Sequence, residues 1–210
     1  METMTTSIIL PFLVFFPFLG AVISYIIGRS NKGARDIWCW ILSAVIFIAS
    51  LMLIGKETVY SLRGFCGLGL SFAADGFGVI LAVLTGAIWL ITTIFSKEYM
   101  AAERNRNRYY FFVFLTLGAT MGIFLSADLF TTFIFFEIMS FTSFVLVMHD
   151  EEDFTVRSAK TYLAVAVIGG LVTLMGLFMM YQKAGTLNMA ELTAFMQSRE
   201  NPAEFYAIGV

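Results

Sequence analysis

Long apolar runs alternate with short polar joints along nearly the whole chain. Runs at 8–27, 37–54, 77–95, 109–126, 129–148 and 159–181 each approach the roughly 20 residues an α-helix needs to cross a bilayer's hydrocarbon core. Helices satisfy their own backbone hydrogen bonds, as lipid requires. The pattern therefore predicts an all-α integral membrane protein with six transmembrane helices in a single membrane domain over 1–210. The first run contains Pro11 and Pro17, follows no basic segment and is too long for a signal-peptide core, so it reads as a retained span. Residues 205–210 are apolar again. They predict the start of a seventh span, and with it a chain that is a fragment or one half of a split protein.

The joints carry their own signals. Segment 59–72 alternates short apolar stretches with Gly64, Gly67 and Gly69, which predicts a small external hairpin. Segment 188–199 places Met189, Leu192 and Met196 at helical spacing. Asn188 with Glu191 has capping-box spacing, so a short interfacial helix is expected there. The acidic run 150–153 reads as a solvated inner turn. Gly118 and Gly122 form a G-x-x-x-G stretch, and Gly169, Thr173 and Gly176 supply small residues in the sixth run. Such residues permit close helix packing.

Composition sharpens this picture. The chain is 59% hydrophobic and 13% charged, with a mean hydropathy of +0.84. Soluble domains carry about 25% charged residues, so this chain cannot coat a water-facing surface of its size. A net charge of -2 gives no footprint for nucleic acid. Cys39 and Cys66 are the only cysteines and His149 the only histidine. An iron–sulfur cluster, bis-His haem and a His-rich zinc site are therefore excluded within the chain, and no cofactor or metal is implied.

Loop charge predicts orientation. The joints after spans one, three and five hold Arg29, Lys32, Arg35, Lys97, Arg104, Arg106, Arg108, Arg157 and the adjacent Lys160, against Lys56, Arg63, Lys183 and Arg199 opposite. Lys and Arg collect on the cytoplasmic side. The bias places the N-terminus outside the cell (plasma) membrane.

Glu137 is the most informative residue for chemistry. It is ninth in the twenty-residue fifth run, near mid-bilayer. A carboxyl there costs about 2.5–3.5 kcal/mol on insertion scales and is usually aimed at a partner or a hydrated path. Burial disfavours its charged form and a neighbouring cation favours it, so a group poised between the two can load and release a proton. The alternative is a glutamate that ties helices by hydrogen bonding; Ser140, one turn on, would suit either role. Lys160 opens the sixth run and either joins a relay or snorkels to the surface. His149 ends the fifth run beside four acidic residues, as a proton entry point or a wet helix terminus. Asp75 and Asp128 mark the entries to spans three and five, and Asp128 suits a helix N-terminus electrostatically.

Several motifs resemble one family in order along the chain. Residues 135–146, FFEIMSFTSFVL, resemble the fifth span of the antiporter-like, proton-conducting membrane subunits. These occur in respiratory complex I, in energy-converting hydrogenases and in multisubunit cation/proton antiporters. Residues 71–76, 94–100, 159–163 and 185–190 are similar to its other span borders. Where the family commonly has Trp before the glutamate, this chain has Phe136. The resemblance implies the N-terminal portion of an approximately fourteen-helix fold with two inverted repeats. It also implies a relay in which Glu137 matches the family glutamate and Lys160 a span-six lysine, with a further lysine on a span beyond Val210. The implied function is a proton-translocating subunit of a complex I-like (NADH-quinone oxidoreductase) or hydrogenase-like assembly. A cation/proton antiporter subunit and a non-conducting scaffold are the alternatives. The expected partners are other membrane subunits, the lipid bilayer and protons, with sodium as the other candidate ion.

Overall fold

A computed structural model describes residues 5–62, 64, 69–101, 105–149 and 152–197. A two-residue strand β1 (Thr5–Thr6) precedes helices α1 (Ile9–Ser30) and α2 (Lys32–Leu51). Strands β2 (Thr58–Leu62) and β3 (Leu70–Ala74) follow. Then come α3 (Gly76–Tyr99), α4 (Arg106–Phe124), α5 (Leu129–Val147), α6 (Asp153–Ala184) and the short α7 (Met189–Gln197).

Five of these helices, α1, α2, α3, α5 and α6, are long and apolar enough to cross a membrane. The predicted fourth span also forms a helix, but α4 falls outside that set. Its first turn explains why: Arg106, Asn107 and Arg108 lie inside the helix and lower its mean hydropathy. α4 lies between α1 and α5, with Val113, Phe114, Thr116, Leu117, Thr120 and Met121 all buried. Its threonines bond inward: Thr116 Oγ1 donates to Thr142 Oγ1 on α5 at 2.9 Å.

The G-x-x-x-G stretch sits on α4 and serves two neighbours. A Cβ on Gly118 would lie 2.6 Å from the Phe18 ring and 2.9 Å from the Val14 carbonyl oxygen of α1. A Cβ on Gly122 would strike the Phe135 ring of α5. Phe135 is itself 2% exposed and packs among Phe15, Phe18 and Phe72, with ring centroids 5.8–6.5 Å away. In α6 the packed small residue is Gly170; Gly169, singled out from sequence, faces open space, and Thr173 is exposed.

All three tryptophans tie one helix to the next through the indole N–H. Trp38 donates to Gly20 O of α1, Trp40 to Thr93 O of α3, and Trp89 to Val113 O of α4, at 3.1–3.2 Å. An indole N–H needs a partner once buried, and helix-surface carbonyls can accept a second bond.

The predicted hairpin exists as antiparallel β2 and β3, register Tyr60↔Phe72, with β1 pairing parallel to β2. Its edge is not left bare. Ala73 N donates to Leu125 O and Ala127 N to Ser71 O, both at 2.8 Å, and Leu129 N and Met189 N continue the strip to Leu187 O and Ala127 O. Asp128 anchors it. As the α5 N-cap its carboxylate accepts from Thr131 N and Thr131 Oγ1, each at 2.7 Å, and from Ser71 N at 3.2 Å. Asp75 caps α3 through a single bond from Gly78 N at 2.7 Å.

Three helix starts move back from their expected positions, each because charged residues extend a helix ahead of its apolar run. Asn31 Oδ1 caps Gly33 N and Ala34 N, so α2 starts at Lys32 and takes in Arg35, which charge counting assigns to a loop. α4 takes in Arg106 and Arg108. α6 starts at Asp153, the last residue of the expected inner turn. The helix expected after Asn188 runs as α7, with Asn188 Oδ1 accepting from Ala190 N and Glu191 N. Glu191 does not return the capping-box bond; it accepts from Thr186 Oγ1, which itself takes the Asn188 N–H. Segment 205–210 lies outside the described residues.

These caps differ in depth, which yields a stability prediction. Asp128→Ala removes a buried cap and its bonds from Thr131 Oγ1 and Ser71 N, though Ser71 N keeps Thr131 Oγ1 as an acceptor at 3.0 Å, so thermal unfolding of the purified protein should show a loss of about 2 kcal/mol. Asp75→Ala, at an exposed cap, should cost about 1 kcal/mol.

Candidate functional site

The candidate site is built on α5 and α6. Glu137 is the ninth residue of the nineteen-residue α5, near the middle of the helix. Its neighbours Phe133, Ile134, Phe135, Phe136 and Ile138 are all apolar. The half-buried carboxylate lies against Gly170 of α6: a Cβ there would sit 2.8 Å from Cδ and 2.9 Å from Oε2. A bare glycine therefore lets a charged group approach the backbone of the facing helix. No hydrogen bond or ion pair joins Glu137 to another described residue. Ser140 is buried one turn away but does not bond to it.

The other sequence candidates sit apart. Lys160 is exposed on α6, ten residues from Gly170, about 15 Å along the helix axis. His149 follows the C-terminal end of α5, twelve residues beyond Glu137, about 18 Å at helical rise. It packs edge-on against Tyr109 of α4 with centroids 5.8 Å apart, its backbone oxygen accepts from Arg108 at 2.9 Å, and its Nε2 is buried without a partner. The three groups thus occupy two levels of the bundle, with Glu137 alone at mid-height.

Sequence reasoning missed a second polar centre. Arg35 and Asp36 of α2 are buried, the arginine at 1% exposure, and pair at 2.9 Å. Arg106 of α4 binds the other oxygen of the same carboxylate at 2.9 Å. Arg35 also donates to Asn107 Oδ1, and both guanidiniums lie over the Tyr110 ring, at 4.9 and 5.7 Å. Gly28 of α1 makes room, since a Cβ there would lie 2.7 Å from Asn107 Cγ and 2.8 Å from Arg35 Cδ. The adjacent charges at 35 and 36, just before an apolar run, were the available signal. Gly170 had no signal beyond the Gly169–Gly170 doublet.

Comparison with known proteins places this geometry in context. Residues 126–210 match the family described as NADH:quinone oxidoreductase/Mrp antiporter, TM. The chain is 30% identical over 207 residues to the putative antiporter subunit mnhD2 of Staphylococcus epidermidis, covering 94% of this chain and 40% of the relative. It is 28% identical over 142 residues to a Na(+)/H(+) antiporter subunit of Alkalihalophilus pseudofirmus, covering 68% of this chain and 29% of the relative. The chain thus spans about two fifths or less of the curated relatives it matches. Among solved structures, a membrane-bound sulfane sulfur reductase, an archaeal respiratory membrane complex, superposes with a TM-score of 0.83 at 18% identity, covering 96% of this chain and 42% of that one. The Mrp complex from Dietzia sp. superposes with a TM-score of 0.76 at 20% identity, covering 95% and 22%. Residues 126–210 thus match the NADH:quinone oxidoreductase/Mrp antiporter family, and the chain as a whole is similar in sequence and fold to part of the antiporter-like membrane subunits named above.

Proposed function

We propose that this chain forms part of a proton-translocating subunit of a multisubunit cation/proton antiporter, with Glu137 as the proton-carrying group. The observation that carries the reading is a carboxylate at mid-height of an apolar helix, set against bare glycine backbone and without an ion pair among the described residues. A structural glutamate would be expected to bond its neighbours; this one is left to respond to its surroundings. A cation brought near favours the carboxylate, and its withdrawal favours the acid. Alternation between the two moves one proton per cycle.

In this reading Lys160 and His149 are outlying stations of the relay, at the level of the basic loops. His149, with a buried free nitrogen, would exchange protons near the C-terminal end of α5. The bundle sits in the cell membrane with its N-terminus outside, as the loop charges suggest. It forms part of an approximately fourteen-helix subunit, which other membrane subunits surround. The exposed apolar face of α6, including Val165, Ile168, Val172 and Met175, would meet further helices or lipid.

The complex I-like or hydrogenase-like reading shares Glu137 and the fold, and the likeness to the sulfane sulfur reductase is consistent with it. The antiporter reading is preferred because the curated relatives carry antiporter names. Cation-driven proton movement in vesicles that contain the assembly, without an electron donor, distinguishes the two.

Two predictions test the role of Glu137. Glu137→Gln should lower proton-coupled transport in reconstituted vesicles by about tenfold or more, as expected for loss of a positioned proton-transfer group, while assembly by size-exclusion chromatography is unchanged. Normal transport by the assembled variant would remove Glu137 from the mechanism. Gly170→Ala and Gly169→Ala gain the same helix propensity, about 1 kcal/mol, but only the first pushes a methyl into the carboxylate. Transport should fall several-fold in Gly170→Ala and stay at the parent level in Gly169→Ala.

A further inference from the structure

The buried charges at the other end of the fold are out of balance. Arg35 and Arg106 share one carboxylate, Asp36. Among the described residues, removing two guanidiniums from water against a single counter-charge leaves about one positive charge uncompensated, which costs free energy unless another anion approaches. Arg106 Nε is buried and makes no hydrogen bond. The same residues line a cavity of about 330 Å³ between the α1–α2 junction and the start of α4, where Lys32, Asn107 and Arg108 join them. Four cationic side chains face this space, and no Asp or Glu lines it among the described residues. The volume is at the lower end for small-ligand sites. The N-terminus of α4 adds its partial positive charge on the same side.

The mouth of the cavity identifies the source of the anion. Tyr25 of α1 forms part of the wall and is 42% exposed. Val22 and Ile26, on the same helix, are exposed apolar residues on the side that would meet acyl chains. Aromatic side chains beside apolar surface mark the headgroup level of a bilayer. Guanidinium groups match phosphate oxygens in pairs, and a basic pocket between helix ends is suited to an anionic headgroup.

We propose that this cavity binds a phosphate-bearing anion and that the phosphate is that of an anionic lipid headgroup. The phosphate sits among Lys32, Arg35, Arg106 and Arg108 and supplies the counter-charge that Asp36 alone does not. The acyl chains lie along Val22, Tyr25 and Ile26. The site is independent of Glu137 and of the ion the assembly carries.

The test uses the chain purified with its membrane partners, placed in nanodiscs of mixed phosphatidylglycerol and phosphatidylcholine, with retained lipid measured by native mass spectrometry after extraction. Phosphatidylglycerol should be retained in preference to phosphatidylcholine. Lys32→Gln, at an exposed position, should lower that retention about fivefold, the usual weight of one basic residue near an anionic headgroup. Arg106→Gln should lower it at least as far, with Arg35 still pairing Asp36 to keep the fold. Lys56→Gln, an exposed lysine on the opposite set of loops, should leave it unchanged. Equal retention in the parent, Lys32→Gln and Arg106→Gln would overturn the site. Displacement of the bound lipid by inorganic phosphate would overturn the lipid source and assign the pocket to a soluble phosphate ester. Increased retention in Glu103→Gln, which lacks the nearest carboxylate in sequence along that joint, would overturn the proposal in favour of a counter-charge supplied by the chain itself.

Discussion

Close backbone approach of α4 to α1 is the contact on which the arrangement rests. At Gly118 the two helices come near enough that one added carbon would lie 2.9 Å from the Val14 carbonyl oxygen. With little hydrophobic driving force between helices in lipid, packing contacts of this kind carry much of the association energy. Gly122 then receives the Phe135 ring, which seats α5, and α5 presents Glu137 to α6. The position of the carboxylate is thus the end of a chain of steric fits that begins with two hydrogens in place of methyl groups. The tryptophan N–H bonds to neighbouring carbonyls hold the remaining pairs in register.

Much of this was legible in the sequence, for physical reasons that also set the limit. Apolar runs of bilayer length located the helices, and the spacing of Met189, Leu192 and Met196 behind Asn188 located α7. Gly64 and Gly69, both at positive φ, marked the hairpin turn. Helix ends were less legible. Asn31, Asn105 and Glu152 begin helices whose first turns hold charged residues, and hydropathy counts such turns as loops although their backbones are helical. α4 belongs with these: Arg106, Asn107 and Arg108 form its first turn, so the whole helix is more polar than the apolar run that begins at Tyr109.

The two polar centres also differed in legibility. A glutamate in the middle of FIFFEIM is conspicuous because nothing near it in sequence can balance it. Its contact with Gly170 depends on the rotation of α6 about its own axis, which no local pattern reports. The Arg35–Asp36–Arg106 group joins residues 70 positions apart, and each member taken alone reads as an ordinary loop charge. One centre is a charge left without local partners, the other a set of charges that share too few. The first suits a group that changes state, the second a fixed anchor.

The length of α6 has a geometric consequence for Lys160. Its 32 residues make a rod about 48 Å long, and the hydrocarbon slab it would cross is about 30 Å thick. Transmembrane helices tilt by up to about 40°, and at that extreme the rod still projects about 37 Å along the membrane normal. No ordinary tilt submerges it. At least one turn and a half must stand clear of the hydrocarbon, and the polar termini, Asp153 and Arg157 at one end and Gln182 and Lys183 at the other, are the parts suited to doing so. Lys160 lies seven residues in from the first of these ends. The share of overhang given to that end therefore decides whether its ammonium group rests among headgroups or is drawn below them, and each residue of sliding along the axis shifts that charge by about 1.5 Å.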